Sequence, residues 1–285
     1  MKPAPFAYHR PATLGEAFHL LERYGSDARI LAGGQSLVPA LNMRLATPGA
    51  LVDITRLPGL DAIDLAAEGL TIGALARQET VLRSPLVARH APLVAQAMPH
   101  VAHLALRTRG TVGGSLAQAD PAAELPACAV ALDAVLRVAG RGAAREIPAA
   151  RFYRGIYTTA LEPGEILTGV VIPPLAAGWR SHFSELARRQ GDYALVALAA
   201  HARVADGVIA EARLVFAGVG LTPVRAGRAE AALSGRRPEA ALAEAGRALE
   251  ADLDPPADVH ASAALRRHLA RVLLTRALSA LTAGA

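Results

Sequence analysis

Two glycine pairs in this chain have the neighbours needed to hold an anion. Ala32-Gly33-Gly34-Gln35-Ser36 falls between the apolar run Ala28-Arg29-Ile30-Leu31-Ala32 and a helical stretch from Ser36 to Leu45. Residues without side chains let the backbone approach a phosphate closely, while N–H groups and the helix dipole point at it. Thr111-Val112-Gly113-Gly114-Ser115 repeats the device about 80 residues later, in a loop from Thr108 to Ser115, again ahead of residues that can start a helix. Two such loops would flank a pyrophosphate on both sides. A single Gly-Gly pair more often marks an ordinary turn. Neither pair fits GxGxxG or the Walker pattern, which disfavours a dinucleotide bound in the Rossmann manner.

Other chemistry is scarce. Cys128 is the only cysteine, so the chain can neither build a disulfide framework nor ligate an iron-sulfur cluster, which needs four thiolates. Its neighbours Glu124-Leu125-Pro126-Ala127-Cys128-Ala129 read as an apolar helix, where a small buried thiol is inert filler. His100 and His103 are three apart but have no evident third ligand, so no metal site is expected. No placed acid or base stands out as catalytic. Any redox chemistry must come from an organic cofactor.

The elements that would position the glycines are legible in outline. Thr13 caps a first helix with Glu16 completing a capping box, Leu14, Phe18 and Leu21 form its apolar face, and Gly25 stops it. Strands are expected at 28–32, 51–54, 70–74, 133–138, 165–172, 181–186 and 208–218. Helices are expected at 91–98, 124–132, 238–251 and 262–283. Leu175-Ala176-Ala177-Gly178, following Pro173-Pro174, reads as a linker. The expected division is therefore 1–175, with parts 1–57 and 58–175, and 179–285.

Composition narrows the class. With 285 residues, 52% hydrophobic and 19% charged, the chain is long enough for two globular domains. Its formal charge of +5 comes from scattered arginines, and only 4% of residues are aromatic, so the clustered basic stripe of a nucleic-acid binder is missing. No apolar run reaches the length of a membrane span and the first ten residues have no apolar signal core, so a cytoplasmic location is the expectation.

Ala32-Gly33-Gly34-Gln35-Ser36-Leu37, Arg109-Gly110-Thr111-Val112-Gly113-Gly114-Ser115 and Arg188-Arg189-Gln190-Gly191-Asp192-Tyr193-Ala194 occur in one order and spacing. Taken together they make the chain similar to the medium, FAD-binding subunit of the xanthine dehydrogenase and carbon monoxide dehydrogenase family. Pro121 to Pro126, Leu161 to Ile166 and Gly218 to Arg225 add supporting matches, so the resemblance covers essentially the whole chain.

The resemblance implies an α+β fold. Two subdomains of the PCMH or vanillyl-alcohol-oxidase-like kind clasp FAD, and a C-terminal domain of a three-stranded sheet with a helical bundle follows. It implies that Ala32, Gly33, Gly34, Gln35, Ser36 and Leu37 wrap the pyrophosphate with Thr111, Gly113, Gly114 and Ser115. Gln118, Glu124, Ile172, Arg188 and Tyr193 would contact the remaining nucleotide or the flavin ring, Tyr193 as an aromatic cover over one face. Gln35 stands where His is frequent, Ser115 where Asn or Asp is common, and Glu124 where Asp is usual. The FAD would be non-covalent. Substrate oxidation would occur on a large molybdopterin subunit, with electrons crossing a small [2Fe-2S] subunit to this chain and then to an acceptor, in a dimer of heterotrimers. NAD, quinone, oxygen and a carrier protein all stay open as acceptors. Rival readings are a self-contained FAD-dependent oxidase or dehydrogenase, and a non-catalytic scaffold or nucleotide sensor.

Overall fold

The structure, a computed structural model, describes residues 2–283. Its first sheet is three-stranded. It carries β1 (Ala7–His9), α1 (Leu14–Tyr24), β2 (Ala28–Leu31), α2 (Leu37–Asn42) and β3 (Ala50–Asp53), with parallel strand order β1-β3-β2. The Thr13 hydroxyl accepts from the Glu16 N–H at 3.1 Å, as expected of an N-cap. The Glu16 carboxylate, however, accepts from Ala12 N rather than from Thr13 N, so the reciprocal bond of the capping box falls one residue early. Gly25, at φ +52°, ends the helix. Ala17 and Leu21 are buried against Val52 and Ile54, and every residue of β3 is buried because the strand is central.

The second sheet is antiparallel with order β4-β5-β10-β6-β7: β4 (Ile63–Ala66), β5 (Gly69–Gly73), β6 (Val135–Gly140), β7 (Ala143–Pro148) and β10 (Ile166–Ile172). A small hairpin, β8 (Tyr153–Gly155) with β9 (Thr158–Thr159), follows the short helix α9 (Ala149–Phe152). Between β5 and β6 lie six helices: α3 (Gln78–Arg83), α4 (Pro85–His90), α5 (Pro92–Ala97), α6 (Leu104–Arg107), α7 (Val112–Gln118) and α8 (Glu124–Ala131). All eight residues of α8 are buried, which explains its lack of an apolar stripe.

The third sheet, β11 (Trp179–Ala187), β12 (Ala194–Ala205), β13 (Val208–Ala217) and β14 (Val224–Arg225), is antiparallel in that order. The resemblance implies a three-stranded sheet, and the structure adds a fourth strand of two residues, held where Val224 pairs with Phe216. Ala197, Ala199, Val215 and Ala217 pack with α8 into the core of the second sheet. The opposite face, with Val196, Leu198, Leu214 and Phe216, packs on α10 (Gly227–Leu233), α11 (Pro238–Asp252) and α12 (Ala263–Thr282). The third sheet is therefore covered on both faces, and α8 is shared.

Candidate functional site

A cleft of about 450 Å³ opens where the three sheets meet. Its first wall is built by the turn from β2 into α2. Gly33 lies so close to the segment opposite that an added Cβ would sit 2.4 Å from Arg109 O and 2.8 Å from Gly110 Cα, a collision with backbone that no rotamer relieves. Gly34 has φ +74°, the left-handed region that glycine reaches without strain. Gln35 folds its amide back, donating to Gly33 O at 3.0 Å. Among the described residues, the backbone N–H groups of Gly33, Gly34, Gln35, Ser36 and Leu37 have no protein acceptor. Five successive donors at a helix start form a concavity suited to an anion.

The second glycine pair is built differently from the expectation. Thr111 is the N-cap of α7, its hydroxyl accepting from Gly114 N at 3.0 Å, so Gly113 and Gly114 lie in a helical turn rather than in a loop. Their neighbours are also committed: Val112 N donates to Ala76 O, Gly113 N to Ala74 O and Ser115 N to Thr111 O. What Gly113 provides is proximity, since a Cβ there would lie 2.4 Å from that of Ala74. The helix is thereby pressed onto the end of β5, and it offers the cleft the side chains of Ser115 and Gln118 instead of free N–H groups.

Apolar residues complete the walls, with Ile30 and Ile54 from the first sheet and Leu161, Ile166 and Leu167 from the second. Tyr193, just ahead of β12, also lines the cleft and is 69% exposed, which is not how a tyrosine packed inside a sheet behaves. Its turn is held from below. Asp192 accepts from Tyr193 N at 3.0 Å while its carboxylate pairs with Arg188 at 3.0 Å and Arg189 at 3.4 Å, and these partners hold its carboxyl below the usual range despite the opposing effect of burial.

Glu124, the first residue of α8, is the buried acid of the cleft. Burial raises its pKa to about 7; its own backbone N–H opposes this, the charges of Glu185 and Asp120 add to it, and His100 lowers it. Glu185 on β11 pairs with His100 Nδ1 at 3.4 Å, and that bond raises the His100 pKa against the effect of burial.

Thirteen of the fifteen sequence-derived site residues thus line one cleft: Ala32 to Leu37, Thr111, Gly113, Gly114, Ser115, Gln118, Glu124 and Tyr193. Two lie outside its lining. Ile172 is in the core at the far end of β10, paired with Leu70, because it is the start of that strand, Ile166 and Leu167, that reaches the cleft. Arg188 points away, donating to His260 Nδ1 at 3.1 Å as well as to Asp192. Sequence reasoning passed over Asp120, which lines the cleft and accepts from Ala122 N at 2.9 Å, and whose Asp-Pro step after α7 is the signal of such a turn. His100 and His103 do not converge, since His103 starts α6 while His100 turns to Glu185. Cys128 is fully buried, and burial pushes its thiol far up.

Comparison with known proteins agrees with this layout. Residues 4–175 match the FAD binding domain in molybdopterin dehydrogenase, and residues 181–281 match the CO dehydrogenase flavoprotein C-terminal domain. The 6-hydroxypseudooxynicotine dehydrogenase complex subunit alpha of Paenarthrobacter nicotinovorans is 38% identical over 98% of this chain and 95% of its own length. A solved structure of carbon monoxide dehydrogenase from Hydrogenophaga pseudoflava superposes with TM-score 0.96 at 36% identity, covering 99% of both chains. Quinoline 2-oxidoreductase from Pseudomonas putida 86 superposes with TM-score 0.94 at 39% identity, over 100% of this chain and 99% of that one. The chain belongs to the FAD-binding medium subunits of the molybdenum hydroxylase family.

Proposed function

We propose that this chain is an electron relay, taking electrons from a small [2Fe-2S] subunit and passing them through FAD to an external acceptor, while a large molybdopterin subunit oxidises the substrate. The observation that carries this reading is the cleft itself, with five acceptor-free N–H groups on one wall, apolar surface on the others and no cysteine nearer than the buried Cys128. Such a site can hold a cofactor and move electrons through it.

The residues fit FAD. Gly33 to Leu37 would hold the pyrophosphate by N–H donation, a reading supported by the bare backbone that a Cβ at Gly33 would obstruct. Ser115 and Gln118 add side-chain donors, and Ile30, Ile166 and Leu167 offer an apolar wall. Tyr193 would cover one face of the ring and keep water from it. When bound, flavin accepts and releases electrons singly or in pairs, which suits it to join a one-electron cluster to a two-electron acceptor. The protein's part is position, dryness and charge.

The assembly would contain this chain, the small subunit and the large subunit, doubled about a two-fold axis. Purification of the native complex followed by cofactor analysis tests the reading. One FAD per copy of this chain, with iron and molybdenum only on the other two subunits, is expected. A flavin-free complex, or the chain purified alone with its own substrate-oxidising activity, would contradict it.

A further inference from the structure

The seam between α8 and the third sheet holds a set of titratable groups that an electron relay does not by itself require. Glu124 lines the cleft from the start of α8 and is buried. Glu185, on β11, is 5% exposed at its side chain, and its Oε2 has no hydrogen-bond partner. His100 follows α5, meets Glu185 through Nδ1 and is 38% exposed at its side chain, so it opens the group to solvent. Gln96 fixes their register, accepting from Phe183 N at 2.9 Å and donating to Ser181 O at 3.1 Å. The His100 and Phe183 rings lie 5.4 Å apart. α5 packs on both α8 and β11, so the His100–Glu185 pair at their junction lies near enough for its charges to act on Glu124 at the cleft.

We propose that Glu124, Glu185 and His100 form a proton store that exchanges one proton with the flavin as it is reduced and reoxidised, an inference that rests on the electron-relay reading above. Two electrons arrive singly from reduced [2Fe-2S] clusters of the partner. Full reduction of bound FAD takes up a proton with the second electron, and Glu124 would supply it from its O–H and be left as a carboxylate. A proton from solvent would then enter by His100 and Glu185 and restore the acid. When the acceptor removes the two electrons, the proton given up would leave to solvent.

Two physical facts favour this arrangement. A buried carboxylate oxygen without a partner is costly unless the pair holds a proton, and the mutual repulsion of Glu124 and Glu185 favours a state in which one of them is neutral. Glu124 then titrates at about pH 7, the range in which it can both give and regain a proton. The other groups facing it are Asp120 from the turn after α7, Tyr193 ahead of β12 and Cys128 one turn along α8. Asp120 raises the proton affinity of Glu124 further, and Cys128 and Tyr193 stay neutral in this range because burial raises both.

Redox-difference infrared spectroscopy on the FAD-loaded complex tests the store directly. Followed in time after reduction, a protonated-carboxyl C=O band should bleach and then recover in the parent protein, and the bleach should be missing from E124Q. E185Q and H100Q lie outside the cleft lining; in both, the band should return more slowly after reduction, by roughly tenfold or more. A parent spectrum without a carboxyl change, or the same loss in E124Q, overturns the proposal. Should E124Q retain no FAD, unchanged recovery in both E185Q and H100Q overturns it equally. A parent complex that contains no FAD at all would overturn the relay reading beneath it.

Discussion

Gly33 and Gly113 look alike in the sequence, yet they do different work. Gly33 leaves N–H groups free beside it, whereas Gly113 and Gly114 sit in a helix whose N–H groups are already used. Gly33→Val should therefore cost the complex its FAD, weakening affinity by roughly a hundredfold, about 3 kcal/mol; flavin content of the folded variant checks this, and unchanged stoichiometry would contradict it. Gly114→Val should act through Thr111, whose hydroxyl lies 2.7 Å from the new Cβ, and disturb the start of α7 instead. Glu124 gives a second test. Its pKa is raised to about 7 from 4.5, so the fold favours its protonated form. That contribution is complete below about pH 4.5 and is lost as pH rises through about 7, a fall on the order of 3 kcal/mol. Denaturation midpoints at about pH 5 and about pH 8 should show the decline in the parent chain and a flatter profile in E124Q. Equal slopes would contradict it. The types and spacing of thirteen site residues were legible because turn glycines, a cap threonine and a tyrosine after Gly-Asp carry local signals. The engagement of the second pair's N–H groups was not, because which carbonyl faces a given N–H depends on partners 30 or more residues away, as with Gly113 and Ala74.

At the scale of the element, α12 is fastened by one buried side chain. Arg266 donates to Leu195 O, to Gly218 O at 3.0 Å and to Asp258 at 2.6 Å, joining the last helix to the end of the sheet where β12 starts and β13 stops. Replacing it by Met fills similar volume but leaves two backbone carbonyls without their donor, and the chain should lose about 3 kcal/mol. A guanidinium denaturation curve reads this loss; an unchanged midpoint would show that water replaces the guanidinium. Legibility at this scale followed burial. Strands with one polar face or a clear bounding turn, such as β3 and β10, could be read within a residue or two. The longest strand, β12, was missed because Ala194 to Ala202 is buried on both faces, so its apolar run has no period of two and its alanines suit a helix equally well. The edge strands β4 and β7 were missed for the opposite reason: six of their ten residues are exposed charged or small ones whose pairing is set by the neighbouring strand.

In the whole molecule, the linker 175–178 separates two stretches of sequence, yet the C-terminal sheet lends one face to the core of the second sheet. The face of the third sheet around Ala197 and Ala199 is continuous with the core of the second through α8, and Gly218 N donates to Pro121 O at 2.8 Å beside the cleft. The third sheet, which Tyr193 immediately precedes, is thereby tied to the core of the second sheet beside the cleft. Among the described residues no helix is long and apolar enough to cross a membrane. In the proposed relay, electrons reach this chain only across an interface. Anaerobic stopped-flow absorbance, following the flavin on addition of the complex's substrate, tests it most directly. The chain with FAD, alone or with the iron-sulfur subunit, should stay oxidised, and only the full set with the molybdenum subunit should bleach. Substrate-driven bleaching of the chain by itself would contradict the relay and make it a self-contained flavoenzyme.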